Sequence, residues 1–385
     1  MFQVLSFKFS VQETCVNLAK LEQAFRKNFE DRGELGASVS VWKSGEEVVS
    51  LAGGWCEREH EREWTADTLV PFYSATKGLA AATVLYLLER NGLTPGARVW
   101  SVWPKFPQPD ASFAELMSHQ LGLAALDIPA GVVDHGEVIA AIEQQSSNWV
   151  PGSGHGYHPR TMGYMLEEVA RRLSGYSLGE VWRRDIADPL GLDAWIGLPD
   201  EQHHRVARLY PGKQDKSDLE SGFYRELHRD GSLVRRAFFS PRGLHSVREM
   251  NEPDAWRAGL PAMGGVGSAR ALAKFYQAAC GAVEFFSEDI RRWMERVLVS
   301  GDDQVLQART AFSCGFQLDP LDAFGRKERH HYGLSRRAFG HPGAGGSHAF
   351  GDPDSGISFA YVMNQMELSP LPGAKSLDMI AAVFA

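Results

Sequence analysis

The chain has 385 residues, 44% of them hydrophobic and 23% charged, with a formal net charge of −8. That length exceeds what one apolar core normally serves, so two lobes are expected. The acidic balance excludes the basic footprint of a nucleic-acid or anionic-membrane binder, and no apolar run reaches the roughly 18 residues needed to cross a bilayer. Met1 to Lys8 lack the basic start, long apolar centre and small-residue cleavage site of a secretory signal. Thr14 to Asp31 repeat Leu18, Leu21, Phe25 and Phe29 at helical spacing, which predicts an amphipathic helix. Ala37, Val39 and Val41 then alternate, and Val48 to Leu51 follow a Ser44-Gly45 turn, which predicts a hairpin.

Ser74-Ala75-Thr76-Lys77 comes next, after Pro71-Phe72-Tyr73 and ahead of an apolar run from Gly78 to Leu88. Residues three apart share one helix face, so the Ser74 hydroxyl and the Lys77 amine can meet. If Ser74 opens that helix, the positive helix end and burial disfavour a charged Lys77, leaving an amine able to act as a base. A serine hydroxyl needs such a neighbour to become a nucleophile. Taken alone, the same serine is equally an ordinary N-cap and the same lysine a solvated side chain.

The middle of the chain reads as mainly helical. Helices are expected from Phe113 to Ser118, from Arg160 to Leu173 with Gly175 as cap, and from Ser177 to Ile186. The charged, His- and Pro-rich stretch from Asp200 to Asn251 shows little periodicity and reads as long loops. Helices follow from Ser268 to Cys280 and from Ser287 to Leu298. Strands are expected at Cys314 to Leu318, Arg337 to His341, Gly346 to Asp352 and Ile357 to Asn364, before a closing helix from Leu377 to Phe384. Strands near both termini predict an α/β (α+β) lobe, an antiparallel sheet flanked by helices. It would be built from residues 1–74 and 260–385, with a mainly helical lobe, 75–259, inserted. Cys15, Cys56, Cys280 and Cys314 are scattered without a C-x-x-C pair, and read as reduced thiols of a cytoplasmic protein.

Two further segments bear on Ser74. Tyr157 lies on the Gly-rich loop Pro151 to Pro159, directly before a helix. There its phenol could relay a proton or be held partly as phenolate by Lys77, or it could simply pack its ring. Phe339 to Ser347 carries His341-Pro342-Gly343-Ala344 at a strand end, where glycine lets backbone approach a ligand and an N–H completes an oxyanion hole, or where the segment is only a turn.

The ordered set resembles the serine β-lactamase-like, penicillin-binding-protein-like hydrolases, in the class C-like branch that holds family VIII carboxylesterases. Ser74 to Lys77 matches the family's S-x-x-K, Tyr157 its Tyr-x-Asn loop, and His341 to Gly343 its Lys-Thr-Gly strand. Leu116 to Leu123 is similar to Leu-Leu-Ser-His-x-x-Gly-Leu. Trp149 to Gly152, Asp188 to Leu192 and Gly264 to Ser268 also look like family landmarks, and the likeness spans about residues 15–385. It implies a Ser74, Lys77, Tyr157 acyl-enzyme mechanism on a small-molecule ester, without metal or organic cofactor. The backbone of Ala344, with Gly343 and His341 beside it, would bind oxyanion and substrate. Pro159 replaces the motif's Asn and His341 its Lys, which removes an amide and a fixed cation and turns the expectation towards neutral esters. Amide hydrolysis by the same fold, acyl transfer and a non-catalytic scaffold role are the alternatives. Loops in 200–250, with Trp256, Phe238 and Phe239, are expected to line the substrate.

Two patterns are set aside. Gly175-Tyr176-Ser177-Leu178-Gly179 fits G-x-S-x-G, but a helix rather than a strand precedes it. His155, His158 and the pairs His203-His204 and His330-His331 lack zinc-helix spacing and are expected at the surface.

Overall fold

The computed structural model describes residues 3–4, 16–213, 221–369 and 371–385. Residues 1–2, 5–15, 214–220 and 370 lie outside that description, and with them Cys15 and the expected helix start at Thr14. Among the described residues, one antiparallel sheet joins strands from both ends of the chain. The strands are β1 (Gln3–Val4), β2 (Gly36–Lys43), β3 (Glu46–Gly54), then β7 (Val299–Asp302), β8 (Arg309–Phe312), β9 (Gln317–Leu318), β10 (Phe339–Pro342), β11 (His348–Asp352) and β12 (Ile357–Met363). Their spatial order is β1-β3-β2-β12-β11-β10-β9-β8-β7. A small antiparallel sheet of β4 (Val70–Pro71), β6 (Gly265–Gly267) and β5 (Ala194–Ile196) lies apart from it.

The β2–β3 hairpin turns on Ser44 and Gly45, both at positive φ (51° and 89°), which suits the twist of two-residue hairpin loops. One face of β2 and β12 carries Val39, Val41, Phe359 and Tyr361. These pack with Leu21 and Phe25 of the Leu18–Asp31 helix and with Met379 and Ile380 of the Ala374–Val383 helix. The other face carries the small residues Ser38, Ser40, Ser358 and Ala360 beside Trp42 and Val362, and the small ones let the Ala269–Ala279 helix come close. Ser358 Oγ donates to the Ala273 carbonyl at 2.7 Å. Both faces are therefore covered, and β12 is buried along its whole length.

The Thr76–Arg90 helix is buried on nearly every side from Thr76 to Leu88, which explains an apolar run without a polar stripe. It packs against the Thr161–Ser174 helix. Gly175 ends the latter helix at φ 79°, the glycine cap expected of it.

Several expectations need correction. The 200–250 region is not a set of long loops: a 3-10 turn (Asp200–Arg205) and short helices (Gly222–His228, Leu233–Phe239, Val247–Met250) occupy much of it. Each of these helices has a serine N-cap, and one or two turns are too short to show periodicity. The strand expected at Cys314 covers only Gln317–Leu318, because Gly315 at φ 81° bends the chain; β8, just before it, was not foreseen. The helix expected to reach Leu298 stops at Glu295, and the chain leaves for β7. β10 begins at Phe339 and β11 at His348, since Gly345 and Gly346 at φ 90° and 119° form the turn between them. The closing helix starts at Ala374 rather than Leu377.

Candidate active site

Ser74 does not open the helix as expected. It lies in a tight turn two residues earlier, half-buried, with Ala75 at the N-cap. The approach is pinned by the small sheet: the Phe72 N–H donates to the Gly265 carbonyl at 3.0 Å, and Tyr73 bridges to Gly264. Tyr73 has φ 45°, a left-handed conformation that a bulky residue keeps only where its surroundings hold it. Thr76 supplies the hold, its hydroxyl donating to the Tyr73 carbonyl and accepting from the Gly265 N–H at 2.8 Å.

Lys77 is fully buried. Its Nζ lies 3.2 Å from Ser74 Oγ, 2.8 Å from the Pro159 carbonyl and 2.8 Å from the Ala262 carbonyl. Burial, then the Arg160 guanidinium, holds its pKa well below that of a free lysine. A neutral amine has two N–H bonds and one lone pair. Carbonyl oxygens only accept, so Lys77 donates to Pro159 and Ala262, and in the deprotonated form its remaining position, the lone pair, would face the Ser74 hydroxyl.

Tyr157 comes to the same place from the other side. Its ring centroid is 4.8 Å from Lys77 Nζ, 4.9 Å from the His119 ring and 5.9 Å from the His341 ring, and it stacks on Phe312. Its backbone N–H donates to the buried Asp303 carboxylate at 3.0 Å, and that carboxylate also accepts from Val305 and Leu306 N–H. Burial pushes the phenol's pKa upward, with the nearby Ser74 hydroxyl pulling weakly the other way; no hydrogen bond closes between the two in this geometry. Tyr157 is therefore a neutral phenol, not the partial phenolate that the sequence left open.

The 341–344 segment ends β10 against the Ser74 turn. A Cβ on Gly343 would stand 2.1 Å from the Phe72 carbonyl, so only glycine allows this approach. The Gly343 N–H is used within its own turn, donating to Ser347 at 2.6 Å. The Ala344 and Ser74 N–H groups have no hydrogen-bond partner among the described residues, and both residues are half-buried. His341 is buried, and desolvation and Lys77 push its pKa to about 3 against the pull of the Pro342 carbonyl, so it is neutral. Its Nδ1 must donate to that carbonyl at 2.8 Å, leaving Nε2 as an unpartnered acceptor.

Other expectations resolve as follows. His155 and His158 are core residues, not surface ones, because backbone and hydroxyl partners use their ring nitrogens. His158 Nε2 accepts from Leu123 N–H at 2.9 Å and Nδ1 donates to the Gly156 carbonyl at 2.7 Å; His155 Nε2 lies 2.7 Å from Thr310 Oγ1. His204 and His330 are exposed, and His203 and His331 half-buried. No group of three metal-ligating side chains occurs among the described residues. Ser177 caps the Leu178–Val181 helix through a capping box with Glu180, which is not a nucleophile's setting. Phe238 packs against the apolar cluster that contains Tyr157. Trp256 does not: it belongs to a different cluster, donating to the Met250 carbonyl and packing on His203. Thr76 and His119 lie inside quoted motifs but were not singled out as site residues, and Arg160 and Asp303 were missed altogether.

The β-lactamase family model matches residues 20–382. An esterase/beta-lactamase LipL of Mycobacterium tuberculosis (strain ATCC 25618 / H37Rv) is 30% identical over 370 residues, 91% of this chain and 81% of that protein. A crystal structure of a penicillin-binding protein homologue from Caulobacter crescentus is 30% identical with TM-score 0.87, covering 100% of this chain and 99% of that one. A family VIII carboxylesterase structure is 31% identical with TM-score 0.83, covering 98% and 99%. With a matching model over nearly its whole described length and the same antiparallel sheet between helices, the chain belongs to the β-lactamase family of hydrolases.

Proposed function

We propose that this protein is a serine carboxylesterase in which Ser74 is acylated by neutral esters and Lys77 is the base. The observation that carries the reading is the buried Lys77 Nζ, held at 3.2 Å from Ser74 Oγ by two fixed carbonyls, with burial lowering its pKa. Lys77 takes the hydroxyl proton as Ser74 Oγ attacks the ester carbonyl. The oxyanion forms against the free N–H groups of Ser74 and Ala344. The Tyr157 phenol gives its proton to the leaving alkoxide and recovers one from the Lys77 ammonium. Water then attacks the acyl-enzyme, the same groups act in reverse, and the acid is released with Ser74 restored.

A neutral His341 offers no cation to a substrate carboxylate, which favours uncharged acyl groups; the ester-cleaving names of two relatives agree. Phe238 stands beside the Tyr157 cluster as an apolar wall for medium-sized substituents, while the exposed Phe239 packs on His245. The likeness to a penicillin-binding protein homologue keeps amide hydrolysis as the second reading. Turnover of p-nitrophenyl butyrate set against nitrocefin separates the two. Ser74→Ala is expected to lose at least about 10³-fold in ester turnover; retained turnover would refute the role of Ser74.

A further inference from the structure

The Tyr157 hydroxyl has no hydrogen-bond partner in this geometry, so nothing polar fixes the tip of the side chain. Its place beside Ser74 is set from the ring and from the backbone end. The loop that carries it is gripped alternately from two sides. Gly156 N–H donates to the His119 carbonyl at 3.2 Å, and His158 N–H to His119 Nδ1 at 3.2 Å. His155 and Tyr157 are held instead by the turn between β7 and β8. The His155 carbonyl accepts from Gln304 N–H at 3.1 Å, and Tyr157 N–H donates to Asp303 Oδ1 at 3.0 Å. The Asp303 side chain is fully buried. Its Oδ1 also accepts from Val305 and Leu306 N–H at 2.9 and 2.8 Å, which closes its own turn. The Tyr157 N–H comes from 146 positions away, and closing that turn does not require it. Asp303 Oδ2 accepts from the Thr310 hydroxyl at 3.1 Å, so the Thr310 oxygen is left to accept from His155 Nε2 at 2.7 Å. Thr310 and Phe312 lie two apart on β8 and share a face. Thr310 steadies the carboxylate while Phe312 stacks on the Tyr157 ring, centroids 6.1 Å apart. One strand therefore holds Tyr157 both at its amide and at its ring.

We propose that Asp303 is a positioning residue for leaving-group protonation: it sets where the Tyr157 phenol stands, and with it the enzyme's capacity for unactivated alkyl esters. This rests on the proposed role of Tyr157 as proton donor. An alkoxide is a strong base and leaves only as its proton arrives, so a donor displaced by about 1 Å loses most of its effect. Fluoride leaves phosphorus without a proton when Ser74 attacks a fluorophosphonate, and that reaction is insensitive to the displacement.

The test compares two reactions of the same serine, turnover of ethyl butyrate and phosphonylation by a fluorophosphonate. Asp303→Ala should lower kcat on ethyl butyrate by about 10²-fold and leave KM and the phosphonylation rate close to wild type. Asp303→Asn, which keeps an Oδ1 acceptor for the backbone N–H groups, should restore most of the turnover. Tyr157→Phe has no phenol to place, so adding Asp303→Ala to it should cost nothing further on ethyl butyrate. If Asp303→Ala does not fold, Thr310→Val decides. It removes only the hydroxyl that steadies the carboxylate, and should show the same split at about three- to tenfold. Equal losses in the two reactions, or a full further loss in the Tyr157→Phe background, would overturn the proposal and leave Asp303 a residue of the fold. Unaltered turnover in the folded variants, or a wild type that is phosphonylated but does not hydrolyse ethyl butyrate, would overturn it too. Equal losses in Tyr157→Phe itself would instead sink the proposed proton donor, and absence of labelling in the wild type the proposed function, so these failures are distinct.

Discussion

At the scale of single residues, the site works by counting donors and lone pairs. A deprotonated Lys77 has no spare N–H once Pro159 and Ala262 are satisfied, so its basic electrons then have one place to go. Tyr157 does not share that task, because burial raises the pKa of its phenol and keeps the proton on it. The division of labour predicts a split outcome for Tyr157→Phe. Ester turnover should fall by about 10²- to 10³-fold, since the leaving alkoxide loses its proton donor. Phosphonylation of Ser74 by a fluorophosphonate should fall far less, since fluoride leaves without a proton. Equal losses in the two assays would place the base function on Tyr157 instead.

At the scale of elements, much was legible and the rest has physical causes. The three segments around Ser74, Tyr157 and His341 stand out in sequence because each couples a reactive side chain to a glycine- or helix-start signal. The structure brings all three together. The β2–β3 hairpin and the Thr161–Ser174 helix were visible from alternation and a glycine cap. The short serine-capped helices between 221 and 250 were not, because a single turn carries no period. Asp303 was invisible for another reason: it holds Tyr157 from 146 positions away. Thr76 hides within the S-x-x-K motif as an unremarked middle residue, yet its hydroxyl fixes the left-handed turn at Tyr73 that presents Ser74. Arg160 follows the tyrosine motif directly and stands in the sequence only as a helix start, yet it is buried. The histidines misled in the opposite direction, since polarity suggested a surface while backbone partners inside the loop accepted them.

At the scale of the whole molecule, the burial of neutral histidines sets a pH limit. His119, His158, His341 and His348 are all held below the ordinary imidazole pKa, chiefly by desolvation, with His158 and His341 at about 3. In the unfolded chain they protonate near pH 6.5, so below that pH the unfolded state binds more protons and stability falls with falling pH. Each contributes a loss of about 1.4 kcal/mol per pH unit between the two pKa values. Glu34 and Asp303, whose carboxyls burial pushes upward, offset part of this at the acid end. Thermal unfolding should therefore shift clearly downward between pH 7 and pH 5; a melting temperature flat across that range would contradict the neutral core histidines.

The same sheet that closes the chain on itself, pairing β12 with β2, carries β10 and the 341–344 turn to the nucleophile, so fold and site stand or fall together. The most direct measurement is to expose wild type and Lys77→Ala to a fluorophosphonate at neutral pH and map the adduct by mass spectrometry. A single phosphonyl group on the peptide bearing Ser74, formed rapidly in the wild type and barely in Lys77→Ala, is the predicted result. An adduct on another serine, or equal labelling of both proteins, would contradict the pairing of a hydroxyl with an uncharged amine.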